Sequence, residues 1–153
     1  MTSRSPAPDA IGGGPDVRPQ PSAVDKTSAR FVLLYHELPN DATRTSHFDL
    51  MLEEGATLRT WALDDDPTVR TNCQGVELAP HRLAYLEYEG PISGNRGSVR
   101  RVDAGVFAWR WREVERLEIS FSGRHLQGRW RFTLNPLDQR WSLEKLTDDS
   151  AIR

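Results

Sequence analysis

A period of two constrains this chain more than any other feature. From Arg30 to Leu146 the apolar residues fall into short alternating or near-continuous runs, and no stretch carries a long helical period. The clearest run is His47-Phe48-Asp49-Leu50-Met51-Leu52-Glu53. As a strand it places Phe48, Leu50 and Leu52 on one face and His47, Asp49, Met51 and Glu53 on the other. The apolar face can anchor in a core. The opposite face then holds an imidazole and a carboxylate two residues apart, the way one strand supplies two ligands to one metal ion. The same alternation also fits an ordinary strand facing solvent.

The other runs follow in order. Residues 1–29, rich in proline, glycine and serine, carry no periodicity and read as a disordered tail. Arg30-Phe31-Val32-Leu33-Leu34-Tyr35-His36 reads as a strand buried on both faces, stopped by Leu38-Pro39-Asn40-Asp41. Gly55 turns the His47 strand into a third, Thr57 to Leu63, as a hairpin. Asp64-Asp65-Asp66-Pro67 ends it as a solvated acidic loop, and residues 67–80 read as irregular. His81 to Gly90 is expected to be extended, with His81, Leu83 and Tyr85 on one face. The glycine-rich loop Pro91 to Gly97 lacks the spacing of a phosphate-binding loop. Strands are expected at Ser98 to Asp103, Val106 to Trp111, Arg116 to Ser122, Leu126 to Leu134 and Trp141 to Leu146. Asp103-Ala104-Gly105 and Ser122-Gly123-Arg124-His125 are the turns between them. Trp130, Phe132 and Trp141 are expected in the core. This pattern is that of an all-β barrel or sandwich.

Composition narrows the functions. Hydrophobic residues make up 37% of 153, enough for one core and not two. No window is apolar enough to span a membrane, and no signal peptide opens the chain, so a cytoplasmic protein is the default. Cys73 is the only cysteine, which excludes an intrachain disulfide and a cysteine zinc site. A net charge of -2 argues against nonspecific coating of nucleic acid. Lys26 and Lys145 are the only lysines. The arginines suit phosphate, although a codon bias accounts for them equally well.

Histidine is scarce, and three of the four stand at expected strand ends: His36, His47 and His81. Such ends can converge on a barrel rim. Two histidines with Asp49 would form a compact metal site with open positions.

With these residues in their order, the chain resembles the 3′-phosphoesterase module of bacterial DNA ligase D. That family carries a histidine, a short loop, and a His-Tyr-Asp-Phe-Arg-Leu-Glu strand, matched by His36 and by His47 to Glu53. Its Leu-Lys-Ser-Trp-Ala-Val is matched by Leu58 to Leu63. Its His-Pro-Leu-Glu-Tyr segment, ending Phe-Glu-Gly, is matched by His81 to Gly90. Two late motifs match Leu126 to Trp130 and Trp141 to Lys145. The resemblance covers residues 30–146, leaving 147–153 as a short tail. It implies a small, closed or nearly closed β-barrel of about eight strands. It implies manganese or another divalent metal held by His36, His47 and Asp49. His81 and Tyr85 would contact the scissile phosphate. The implied reaction removes a 3′-phosphate or 3′-ribonucleoside from DNA 3′ ends in repair, as in non-homologous end joining. Ligase or polymerase partners would act in trans.

Two departures stand out. The family keeps an arginine two residues after the metal-binding aspartate, and here that residue is Met51. The loop between the first two histidines is also longer. Arg44 and Arg96 are candidates for the missing guanidinium, with Arg59 as a further phosphate ligand. Three rival readings remain. A non-catalytic module would bind DNA ends or a repair partner. An iron oxygenase would use His47, Asp49 and His125 and leave His36 and His81 idle. A plain barrel would hold no metal.

Overall fold

A computed structural model of the chain describes residues 29–147. The expected tails, 1–29 and 147–153, lie outside them except for Ala29 and Thr147. Nine strands run β1 (Ala29–Glu37), β2 (His47–Glu54), β3 (Thr57–Leu63), β4 (Asn72–Arg82), β5 (Gly90–Pro91), β6 (Ser98–Glu113), β7 (Arg116–Gly123), β8 (Gln127–Asn135) and β9 (Arg140–Lys145). All pairings are antiparallel, in the order β1-β2-β3-β4-β9-β8-β7-β6, and β6 pairs back with β1 to close an eight-stranded barrel. The short β5 adds to the outer edge of β6. The expectation of an all-β barrel holds. No helix among the described residues is long and apolar enough to cross a membrane.

Alternation builds two cores from one wall of a single barrel, where composition led to the expectation of one. Phe31, Leu33, Leu50, Leu52, Trp61, Phe121, Trp130, Phe132 and Trp141 point into the barrel and fill it. Trp61 meets Phe132 and Trp141 edge to face, at 5.1 and 5.6 Å between centroids. Val32, Leu34, Met51 and Leu58 lie between those positions and so face outward. They are nonetheless buried, because the 3-10 turn Leu83–Leu86 and Ile92 cover them. The face of β2 opposite Phe48 is therefore not a solvent face. Its outer end, His47 and Asp49, is buried together with Met51. Cys73 is inside the barrel, where burial and then the nearby Asp65 and Asp66 push its thiol pKa up to about 12.

Three local expectations are corrected. Residues 67–80 are not irregular, since β4 begins at Asn72. Gly75 and Pro80 had disguised it. A Cβ at Gly75 would stand 2.1 Å from the carbonyl oxygen of Ala62, so the glycine serves close strand approach and not a turn. Pro80 falls where the β3–β4 register shifts, at a place that needs no ladder N–H. The segment after His81 is not extended. His81 stands at the end of β4, and Leu83 to Leu86 coil into one 3-10 turn that covers the outer wall. Finally, Asp103-Ala104-Gly105 is no turn, because β6 runs unbroken through it. Gly105 again serves close approach, to the carbonyl of Ser122. Asp103 is buried and accepts the backbone N–H groups of Arg124, His125 and Leu126, so its carboxylate caps the β7–β8 turn.

Candidate functional site

The second core leaves an opening beside it. Between the Leu38–Arg44 loop, the start of β2 and the Ile92–Arg96 loop lies a cleft of about 530 Å³. His36, Arg44, His47, Asp49, His81, Tyr85 and Arg96 all line it. The β1–β2 register pairs His36 directly with His47, and Asp49 follows on the same face. One ligand atom from each of His36, His47 and Asp49 lies within 4.8 Å of the others. These three form the group of that kind among the described residues; the acidic loop does not. There Asp66 accepts from Thr68, and Asp64 pairs with Arg140.

The hydrogen bonds fix what each ring presents. His36 Nε2 is 2.8 Å from the carbonyl of Arg96, and His47 Nδ1 is 3.0 Å from the carbonyl of Thr45. A carbonyl only accepts, so those nitrogens carry the protons of the neutral rings. Their other nitrogens are then lone pairs. His36 Nδ1 lies 3.4 Å from one carboxylate oxygen of Asp49, and His47 Nε2 lies 3.1 Å from the other. Asp49 Oδ1 is buried and accepts no hydrogen bond. Two lone pairs and an anion thus converge, a repulsive arrangement until a cation joins it. Backbone acceptors behind both ligand rings are also the usual support for metal-bound histidine. The residues fit a divalent metal.

Electrostatics agree. Burial opposes the charge on His47, but the adjoining Asp49 carboxylate prevails and holds its pKa above the usual 6.5. Burial likewise favours the neutral acid at Asp49, yet the hydrogen bonds that His36 and His47 donate once protonated hold it below 3.8. The pair binds positive charge.

Elsewhere in the cleft, His81 Nδ1 is 2.9 Å from the carbonyl of Ala79, and its ring stands 5.4 Å from that of Tyr85. The two meet across the end of β4 and the 3-10 turn, not along one strand as expected. Arg44 reaches to 3.5 Å from His47 Nε2. Arg96 is folded onto Ser93. Met51 is fully buried in the second core. Arg59 is not brought to the cleft: it pairs with Glu77 and lies over Trp61 near the barrel mouth. His125 sits in the β7–β8 turn, away from the residues that line the cleft. Sequence reasoning missed the two backbone carbonyls that orient the ligand rings, and Asn95 at the cleft wall. No side-chain pattern announces a carbonyl, although Asn95 at φ 58 sits within the glycine-rich loop.

Comparison with known proteins bears on the same region. The model of the DNA ligase D 3′-phosphoesterase domain matches residues 39–134. A multifunctional non-homologous end joining protein LigD from Pseudomonas aeruginosa is 30% identical over 147 residues. That match covers 87% of this chain and 17% of the relative, so the chain spans a small part of that protein's length.

Proposed function

The chain belongs to the DNA ligase D 3′-phosphoesterase domain family, and from that membership we propose a metal-dependent phosphoesterase that trims DNA 3′ ends. It removes a 3′-phosphate or a terminal 3′-ribonucleoside and leaves a 3′-hydroxyl. The observation that carries this reading is the convergence of two imidazole lone pairs and a buried carboxylate in a cleft that also holds His81 and Tyr85.

His36, His47 and Asp49 would hold manganese or another divalent ion. Such an ion supplies charge neutralisation at phosphoryl oxygens and a more acidic water. The chain's own groups do the rest. The Ala79 carbonyl fixes the His81 ring, so its Nε2 can face the phosphate or the leaving oxygen. Tyr85, buried against that ring and lining the same cleft, gives its hydroxyl to the same phosphate. Arg44 and Arg96, both at the cleft wall, supply the positive charge that Met51 cannot. A DNA 3′ end is the substrate. Its hydroxyl is then available to a ligase or polymerase.

Incubation with a 3′-phosphate primer-template tests the reading. Phosphate release with manganese, and none with chelator, is the expected result. Burial of Met51 favours one second reading, an end-binding module of the same fold. It gains if manganese stabilises the protein yet no 3′ end is cleaved.

A further inference from the structure

The wall opposite the cleft carries an unused constellation. In the closed order β8 stands across the barrel from β2, and β7 across from β3. Leu117, Ile119, Trp130 and Phe132 point inward on β7 and β8. The residues between them point outward. Glu118 is among these, and it is 8% exposed because three guanidiniums cover it. Arg129 Nη2 is 3.0 Å away, Arg131 Nε 3.2 Å and Arg116 Nη2 3.3 Å. Burial alone would raise the pKa of Glu118, but hydrogen bonds from Arg131, Arg129 and Arg116 bring it below the ordinary value, so it stays ionised.

This carboxylate is a hub and not a neutraliser. A guanidinium has five N–H donors, and Glu118 occupies one on Arg116, two on Arg129 and one on Arg131. The remaining donors are held in place with little rotamer entropy left to lose on binding. A fourth arginine, Arg110, bonds Ser120 Oγ on the same face. Beside them Trp111, opposite Glu118 in the ladder, is 49% exposed on an otherwise polar surface, with Arg116 over its ring. Glu144, opposite Arg131, and Glu113 and Glu115 at the hairpin end border the patch. A chain of net charge -2 thus gathers four arginines and an exposed indole on one face.

We propose that the outer face of β6, β7 and β8 binds a single strand of nucleic acid, with guanidiniums on phosphates and a base stacked on Trp111. Preoriented guanidiniums match phosphate oxygens. An exposed aromatic among them selects unpaired bases, since a paired base has no free face to offer. The choice of nucleic acid over other polyanions rests on the DNA-end reading. A strand whose 3′ end lies in the cleft reaches this face only by passing around the barrel. The face therefore holds a second strand or the flank of a long one.

The test uses a fluorescent oligothymidylate with a plain 3′-hydroxyl, in chelator, so that binding is read apart from cleft chemistry. Fluorescence anisotropy is followed against salt. Trp111→Ala and Arg110→Ala leave Glu118 paired, and circular dichroism confirms their fold. Each is expected to weaken binding about tenfold, and Arg110→Ala to lower the salt slope by about one. In a separate assay with manganese in place of chelator, phosphate release from a 3′-phosphorylated dinucleotide, too short to span the barrel, should be unchanged in both. Equal affinity in wild type and both variants overturns the proposal, as does tighter binding to blunt duplex than to single strand. Loss of dinucleotide turnover in the wild type would count against the phosphoesterase reading alone.

Discussion

Nε2 of His47 lies 3.1 Å from Oδ1 of Asp49, yet that buried oxygen accepts no hydrogen bond. The cause sits on the far side of the ring, where the Thr45 carbonyl takes the Nδ1 proton. Leaving an acceptor buried and unpaired costs about 1–3 kcal/mol. With both rings neutral, that cost stands next to a second imidazole lone pair, an arrangement that suits a cation.

Manganese should therefore raise the melting temperature. A ligand present at about 100 times its Kd adds about 2.7 kcal/mol of stability. Asp49→Asn makes a sharper test than deletion. Its amide can donate to His47 Nε2, so above the raised pKa of His47 the metal-free variant should melt no lower than wild type. Its manganese response should vanish. An undiminished response would place the metal elsewhere.

The two shifted groups set opposite pH limits. His47 is held above 6.5, so its stabilisation is complete below about pH 6.5 and lost as pH rises through the higher folded value. Asp49 is held below 3.8, so its share is present above about pH 3.8 and lost as pH falls through the lower folded value. The pair stabilises the metal-free protein most between those two ordinary values. Metal must displace the His47 proton, so manganese affinity should climb with pH until the raised folded pKa is passed. Calorimetry in buffers of different ionisation enthalpy should show proton uptake by buffer. Affinity that stays flat from about pH 5.5 to 8 would contradict the assignment of His47 as a ligand.

Arg44 is proposed to supply the charge that the resembled ligase D phosphoesterase pattern places at the position of Met51. Arg44 already reaches to 3.5 Å from His47 Nε2 and lines the cleft. Arg44→Ala should cut turnover about tenfold or more, one charge-assisted contact being worth about 1.5–3 kcal/mol. Met51→Arg has a different outcome. Met51 is 1% exposed among Val32, Leu34 and Leu86. A guanidinium there is buried without a partner, and the melting temperature should fall steeply. A Met51→Arg protein as stable as wild type would mean that the position opens to the cleft.

The candidate metal-holding residues were legible because a strand displays every second residue, so His47 and Asp49 had to share a face. His36 needed the register, which pairs it with His47, and a strand end could only hint at that. The barrel's long strands were harder. Gly75, Pro80 and Gly105 look like punctuation in a sequence, whereas two of them make room for a neighbouring carbonyl and the third sits in a bulge. The 3-10 turn Leu83–Leu86 has the same apolar content as a strand of that length. Its role, to cover the outside of the barrel, depends on Val32, Leu34 and Met51, which are distant in the chain and which no local pattern connects to it.

His81 and His125 separate the chemistry from its rival. Both reach solvent, but only His81 lines the cleft with His36, His47 and Asp49. The Ala79 carbonyl accepts from its Nδ1–H, and Nε2, once protonated, is the nitrogen proposed to donate to a phosphate oxygen. That group matters most when charge develops on the departing oxygen, so its loss should appear in kcat and not in metal binding. His81→Ala should lower turnover by about 10²–10³ while the manganese-induced rise in melting temperature persists. His125 contributes a backbone N–H to Asp103, and His125→Ala keeps that N–H, so neither turnover nor stability should change measurably. An essential His125 beside a dispensable His81 would instead revive the two-histidine, one-carboxylate oxygenase set, although the β7–β8 turn that carries His125 is capped by Asp103 outside the cleft. The paired measurement, turnover and metal response on the same two variants, distinguishes these cases whichever 3′ end is the preferred one.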